Sequence, residues 1–178
     1  FVYDLPSWCT SVAVVDADGP LAGAVYIPVT DELFSATRGG GATLDGASIT
    51  CSSATELAHA LVGTGFSYSA ERRAGQARRL SFLLSDVRDV RRLGSAAIDL
   101  CFVACGRLDA YFEEYLNSWD LAAGVLIAQE AGAITSDLQG GRSLQAWREL
   151  QQRFKFNKIS PAHVTRLIDL GLQVQMQA

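Results

Sequence analysis

The sequence of 178 residues predicts a layered α/β domain, and three observations support this fold class. Residues 1–60 contain short apolar strand patterns separated by tight turns, whereas residues 61–141 alternate strand patterns with helical ones. Alternation of strands and helices is typical of folds in which helices cover a sheet. The length suffices for one full core and is short for two, so residues 1–178 are predicted to form a single domain.

Turn signals organise the first 60 residues. Two apolar stretches flank Asp18-Gly19, a dipeptide that favours a β-hairpin. Further turns are predicted over the triple glycine at 39–41 and at Asp45-Gly46. A triple glycine also occurs in phosphate-binding loops, but the Gly-Lys-Ser/Thr that such a loop needs is absent. A glycine turn between strands is therefore favoured.

The first helical pattern follows a short strand predicted over residues 61–66. Small and apolar residues recur in it at helical spacing, namely Ala70, Ala74, Ala77, Leu80 and Leu84. Seven of the 15 basic residues fall between Arg72 and Arg92, and the arginines of this helix are expected to form its solvated face. Nucleic-acid binding through this region is not expected, because the net charge is −4 and aromatic residues do not alternate with the arginines.

Two further helices are predicted, each preceded by a short strand at 87–93 or 108–114. Ser95 opens the first and Gly106 closes it. The second is expected to begin directly after Asp120, to run until Gly132 and to be almost free of charge. In the remaining segment, 142–178, a short helix is predicted with Pro161 near its first position, and no functional role is assigned to this segment.

Composition narrows the possible locations of the protein. No apolar run approaches the length that spans a bilayer, and no charged leader precedes an apolar block. The cysteines are scattered and supply no zinc-binding set, so they are expected to be free thiols: Cys9, Cys51, Cys101 and Cys105. These features predict a cytoplasmic protein that does not span a membrane.

The start of the second helix is a candidate anion-binding site. Gly94, Ser95 and Ala96 place small residues at a helix N-terminus, where free N–H groups and the helix dipole attract negative charge. The alternative is that Ser95 only caps the helix and the alanines only pack. The segment by itself favours that alternative.

Asp120 is a candidate metal ligand for a similar reason. It stands at the start of the third helix, where aspartate commonly serves as the N-cap. Glu113 and Glu114 end the preceding strand, and carboxylates gathered at such an edge suit a hard cation such as Mg²⁺. A hard cation needs more than one protein carboxylate or help from a substrate phosphate, so Asp120 by itself is an incomplete site.

Two segments resemble the inositol monophosphatase family. RRLGSAAIDLCFVACGRLDAYFE and NSWDLAAGVLIAQEAGAITSDLQGG are similar to its C-terminal half, and residues 119–124 match its WDxAAG signature. The stretches FVYDLPSWCTSVAVV and LFSATRGGGATLDGASI are similar to strands that follow its first signature. The resemblance covers about residues 1–141 and implies a layered αβαβα fold. It also implies a lithium-sensitive, Mg²⁺-dependent phosphatase that forms homodimers.

The resemblance also implies roles for particular residues. Asp120 would bind metal and lie near the substrate, Glu113 would bond a substrate hydroxyl, and Gly94, Ser95 and Ala96 would present backbone and hydroxyl groups to the substrate. Two or three Mg²⁺ ions would lower the pKa of a bound water that attacks phosphorus directly. The family's first metal signature would precede Phe1, and no catalytic residue of that part is visible. The expectation is an N-terminally truncated fold with impaired activity.

Several functions stay open at this point. The leading one is hydrolysis of a small phosphate monoester such as inositol 1-phosphate, with histidinol phosphate, a fructose bisphosphate or a phosphoadenosine nucleotide as alternative substrates. Another is a non-catalytic module that binds a partner or forms a homo-oligomer. Motif spacing favours the monophosphatase branch and does not distinguish among the esters.

Overall fold

The computed structural model describes residues 3–136. Within them the strands are β1 Thr10–Asp16, β2 Gly19–Ile27, β3 Glu32–Thr37, β4 Ala42–Leu44, β5 Ala47–Ser48, β6 Leu61–Thr64, β7 Asp89–Arg91 and β8 Ala110–Phe112. The α-helices are α1 Ala70–Leu83, α2 Ala96–Ala104 and α3 Ser118–Glu130, and a short 3₁₀ helix spans Leu57–His59. The predicted helix near Pro161 lies outside the described residues.

The first five strands form an antiparallel sheet in sequence order, β1-β2-β3-β4-β5. Gly19 begins β2 with a φ of 111°, which confirms the hairpin predicted at Asp18-Gly19. The tight turn between β4 and β5 is the one predicted at Asp45-Gly46, where φ is 50° and then 80°. Glycine and aspartate tolerate these left-handed conformations better than most residues, so the sequence signals were decisive here.

The triple glycine forms a turn between β3 and β4, as predicted, and the turn also binds part of α3. The backbone N–H groups of Gly39 and Gly41 donate to the two carboxylate oxygens of Glu130 at 2.8 and 2.9 Å. Glu130 is the last residue of α3. The glycine turn thus binds the carboxylate of Glu130, and these two hydrogen bonds hold the end of α3 against the antiparallel sheet.

The other three strands form a parallel sheet in the order β7-β6-β8. Successive side chains of a strand point to opposite faces, and β6 uses both of them. Gly63 faces α2, where a Cβ atom would lie 2.9 Å from Asp99 Oδ1 and from Leu108 Cδ1. Val62 belongs instead to a small apolar cluster with Leu83 of α1. Helices α2 and α1 therefore cover opposite faces of this sheet.

Helices α2 and α3 pack on each other between the two sheets. The core here is built from alanine, valine, isoleucine and leucine of both helices and from β2, β3 and β4, and Phe34, Cys101 and Ile127 are fully buried. The order antiparallel sheet, α2–α3, parallel sheet, α1 supplies four successive layers of the predicted αβαβα arrangement. Among residues 3–136, no helix has both the length and the apolar character needed to cross a bilayer.

Helix α1 differs from its sequence pattern. Ala70, Ala74, Ala77 and Leu84 were grouped as an apolar face, yet all four are exposed. The buried residue of α1 is Gln76, whose Oε1 accepts from the backbone N–H of Ser67 at 2.9 Å. A helix that packs on one face of a small sheet buries only a narrow stripe of its surface. The helical spacing of small residues therefore predicted a wider buried face than α1 has.

Close backbone approach at Gly23 gives a stability prediction. A Cβ atom at Gly23 would lie 2.8 Å from Ala123 Cα, so Gly23→Ala must push α3 away from β2. We expect a loss of about 2 kcal/mol in the free energy of unfolding, measured in urea. Gly75→Ala in α1 is the matched control, because the nearest atom would be 3.8 Å away and alanine favours the helix. Equal destabilisation by both variants would contradict the tight α3–sheet contact.

Candidate active site at the carboxyl edge of the parallel sheet

The carboxyl ends of the parallel strands bring three loops together. From β6 the chain passes through α1 to β7 on one side, and then through α2 to β8 on the other side. Ligands of open α/β sheets bind outside the strand ends at such a switch of direction. The loops at this edge are 65–69, 92–95 and 113–117, which contain or directly precede every site residue that the sequence predicted.

The N-terminus of α2 carries positive potential. Ser95 is the N-cap, as predicted, and its Oγ accepts from the Ile98 N–H at 3.5 Å and lies 3.5 Å from Cys9 Sγ. Gly94 has a φ of 103°, and a Cβ atom there would lie 2.8 Å from Arg92 Nη1. The helix dipole, the free N–H groups of its first turn and this guanidinium all favour an anion at this point.

Glu113 lies directly over the backbone of Gly65. A Cβ atom at position 65 would lie 1.9 to 2.2 Å from the carboxyl atoms of Glu113, so only glycine leaves room for them. The Tyr111 hydroxyl donates to Glu113 Oε2. Sequence reasoning identified Glu113 but missed Gly65 and Tyr111, since the contact joins two strands and neither residue stands out locally.

Asp99 is a buried carboxylate that sequence reasoning missed. It is 1% exposed, and its Oδ1 has no hydrogen-bond partner among residues 3–136. Burial, joined by the negative charge of Glu113 and opposed by Arg92, raises the pKa of the Asp99 carboxyl to about 7. The available signal was an aspartate in the middle of the otherwise apolar helix SAAIDLCFVAC.

The pKa of Tyr111 is affected by three carboxylates at this edge of the sheet. Its pKa is raised by burial, by its hydrogen bond to Glu113, and by the charges of Glu113, Asp99 and Asp120. These groups, contributed by β8, α2 and α3, therefore share one electrostatic environment. Such a concentration of interacting titratable groups marks a candidate functional site.

Asp120 does not cap α3 in the predicted way. The helix begins at Ser118, Asn117 is the N-cap, and Asp120 is its third residue. Asp120 Oδ2 accepts from the Asn117 backbone N–H at 2.8 Å and from its Nδ2 at 3.4 Å. Among the described residues Oδ1 accepts no hydrogen bond, so one carboxylate oxygen is available for a ligand. The same side chain can thus hold the first turn and bind a cation.

The loop after β8 is fastened to α1. Glu114 forms a salt bridge with Arg79, and the Arg72 guanidinium lies 4.3 Å from the centre of the Tyr115 ring. Tyr115 has a φ of 68°, a conformation that a bulky residue rarely adopts without such support. These arginines were predicted to be solvated, and they are exposed, yet two of them also position the loop that carries Glu113.

The described residues do not complete a metal site. Within 3–136 no group of three His, Cys, Asp or Glu side chains could hold a metal ion. Asp120 has the right donor chemistry for Mg²⁺, but it offers one oxygen where a hard cation takes about six. Within residues 3–136 the donor set therefore supplies one metal ligand and not a complete metal centre.

Comparison with known proteins identifies the family. A model of the inositol monophosphatase family matches residues 1–166. The chain belongs to the inositol monophosphatase family. The match extends beyond residue 141, where the sequence resemblance was expected to end. The sequence-based recognition of this family, and with it of a phosphatase scaffold, is confirmed.

Individual members of the inositol monophosphatase family resemble the chain closely. The inositol-1-monophosphatase of Mycobacterium leprae is 50% identical over 137 residues, which are 75% of this chain and 47% of that protein. A Nus factor SuhB of Xylella fastidiosa is 40% identical over 141 residues, 79% of this chain and 51% of that protein. The solved structure of Mycobacterium tuberculosis SuhB has a TM-score of 0.74 at 41% identity and covers 86% of this chain and 67% of that one. The chain spans about half the length of the curated relatives it matches.

Asp99 gives a pH-dependent stability prediction. Above about pH 7 its carboxyl is ionised in both states and burial destabilises the fold, whereas nearer pH 4 the folded state keeps a proton that the unfolded state releases. Asp99→Asn should therefore raise the free energy of unfolding by on the order of 3 kcal/mol at pH 8, and the gain should vanish towards pH 4.

Urea unfolding between pH 4 and pH 8 measures this difference. Asp18→Asn, which changes an exposed carboxylate in the β1–β2 turn, is the matched control and should show no comparable trend. A difference between wild type and Asp99→Asn that does not change with pH would show that Asp99 is not a destabilising buried charge.

Proposed function

We propose that this chain carries the substrate-binding part of a Mg²⁺-dependent phosphatase that hydrolyses a small hydroxyl-bearing phosphate monoester such as inositol 1-phosphate. The observation that carries this proposal is the Glu113 carboxylate, held over Gly65 beside the N-terminus of α2 at the carboxyl edge of the sheet. A fixed carboxylate acceptor near an anion-attracting helix end suits a ligand with both a phosphate and hydroxyl groups.

Each site residue is then proposed to have the role that the family resemblance implies. The backbone of Gly94 and Ala96 and the hydroxyl of Ser95 bind the phosphorylated part of the substrate at the start of α2, with Arg92 adding positive charge. Glu113 accepts a hydrogen bond from a substrate hydroxyl. A partly buried carboxylate of this kind disfavours an analogue that lacks the hydroxyl, because its oxygen would then lack that hydrogen bond.

Asp120 is proposed as one ligand of Mg²⁺ through Oδ1. The chemistry that a bound Mg²⁺ would supply beside Asp120 is a lower pKa for a bound water and neutralisation of phosphate charge. Residues 3–136 supply no complete ligand set, so we expect the chain by itself to bind Mg²⁺ weakly and to turn over little substrate. Lithium sensitivity belongs to the same proposal and depends on the metal.

The preferred ester is open within this proposal. Histidinol phosphate, a fructose bisphosphate and a phosphoadenosine nucleotide remain alternatives to inositol 1-phosphate. The protein is proposed to act in the cytoplasm, as its scattered cysteines indicate, and as a homo-oligomer, as the family resemblance implies. No nucleic-acid or membrane partner is proposed.

A non-catalytic binding module is the second candidate function. One observation favours it: relatives from Xylella fastidiosa and Vibrio cholerae carry the name Nus factor SuhB. A module of this kind would keep the scaffold and its surfaces and would not need the metal ligands.

Asp120→Asn separates the capping role of Asp120 from its ligand role. Asparagine keeps an oxygen that can accept from the Asn117 N–H, so stability without metal should change by less than about 1 kcal/mol. Millimolar Mg²⁺ should stabilise wild type in the presence of inositol 1-phosphate, because Mg²⁺ binds the folded state. This stabilisation should disappear in Asp120→Asn, which lacks the carboxylate ligand. Urea unfolding with and without Mg²⁺ measures both quantities, and phosphate release with and without lithium is recorded in parallel.

The matched control is Asp86→Asn, an exposed carboxylate at the opposite edge of the parallel sheet. It should keep the full response to Mg²⁺. If wild type shows neither Mg²⁺-dependent stabilisation nor phosphate release, the phosphatase proposal fails for this chain and the binding-module candidate gains.

A further inference from the structure

The Glu113 carboxylate is constrained from two sides. The Tyr111 hydroxyl donates to Oε2, and the backbone of Gly65 lies close beneath both oxygens. Tyr111 and Glu113 are two residues apart at the end of β8, so their side chains leave the strand on the same face. Among residues 3–136, Oε1 accepts no hydrogen bond. One oxygen is thus occupied and the other is open to a donor.

The neighbouring backbone is constrained as well. Glu114 is paired with Arg79, and Tyr115 lies under Arg72 in a left-handed conformation. The loop therefore has little freedom to compensate if the carboxylate loses its partner. A free glutamate side chain with several rotatable bonds would otherwise lose considerable entropy on binding a ligand.

We propose that Tyr111 is a positioning residue that fixes Glu113 so that its second oxygen meets a substrate hydroxyl. This inference rests on the proposed role of Glu113 and adds a residue that motif spacing does not reveal. Tyr111 does not touch the substrate in this arrangement. It selects among phosphate esters by pre-organising the acceptor, because an immobilised carboxylate loses less entropy when the hydroxyl binds.

Calorimetric titration with two probes tests the proposal in millimolar Mg²⁺. The probes are inositol 1-phosphate and cyclohexyl phosphate, which has the same ring size and no free hydroxyl. Wild type should prefer the inositol ester, and Tyr111→Phe should lower that preference about five- to tenfold, the scale of one ordinary hydrogen bond. Affinity for cyclohexyl phosphate should not change.

Tyr26→Phe is the matched control for this measurement. It removes another tyrosine–carboxylate hydrogen bond, from Tyr26 to Asp31 at 2.8 Å in the antiparallel sheet, and should leave the preference intact. Gly65→Ala is a second variant, in which the added methyl group displaces the Glu113 carboxyl and should also lower the preference. Full preference in Tyr111→Phe overturns the inference and leaves the proposed role of Glu113 standing. No preference in wild type overturns both.

A measurement without ligand covers the case in which neither ester binds. Urea unfolding of Tyr111→Phe, Glu113→Ala and the double variant forms a double-mutant cycle in which each single substitution removes the hydrogen bond. Less-than-additive effects support the hydrogen bond that fixes Glu113. Additive effects show that Tyr111 does not hold the carboxylate and overturn the inference, whatever the substrate is.

Discussion

The arrangement of the site depends on the absence of side chains along one face of β6 and its continuation. Gly63 and Gly65 are two residues apart, so both lie on the face that α2 covers. At the first, a Cβ atom would meet Asp99, and at the second it would meet Glu113. The central strand of the parallel sheet thus leaves space for two carboxylates that neighbouring elements bring in. Any larger residue at either position would force α2 or the loop after β8 outward.

Placing two carboxylates in this space is electrostatically unfavourable, and nearby positive groups offset only part of that repulsion. Glu113 and Asp99 repel one another, and burial keeps the Asp99 pKa near 7. The compensating groups are Arg92 and the N-terminus of α2, which lie at the same edge. A region that gathers carboxylates and an anion-attracting helix end is poorly explained by stability alone, since replacing a buried unpaired charge with an apolar residue commonly stabilises a protein. Selection for binding explains the combination better.

Turn residues and helix caps in the sequence correctly predicted the features of the fold that depend on a few neighbouring residues. The hairpin turns, the glycine turn before β4 and the Ser95 cap follow from backbone conformations that few residues adopt or from orphan N–H groups. The start of α3 was predicted three residues too late. Asn117 and Asp120 are equally good N-cap residues by type, so residue type could not decide between them. The apolar spacing of α1 gave no information on how much of the helix the sheet covers.

Gly65 was missed because its role depends on a contact between distant segments. Gly65 and Glu113 are nearly fifty residues apart, and their relation exists only once β6 and β8 pair. The family resemblance identified Glu113 and Asp120 as site residues. It could not show that Tyr111 donates a hydrogen bond to one oxygen of Glu113. The same scaffold occurs in relatives named as an inositol monophosphatase and in others named as a Nus factor. Because the fold is common to both, the fold by itself does not decide the chemistry, and the side chains at the carboxyl edge of the parallel sheet must do so.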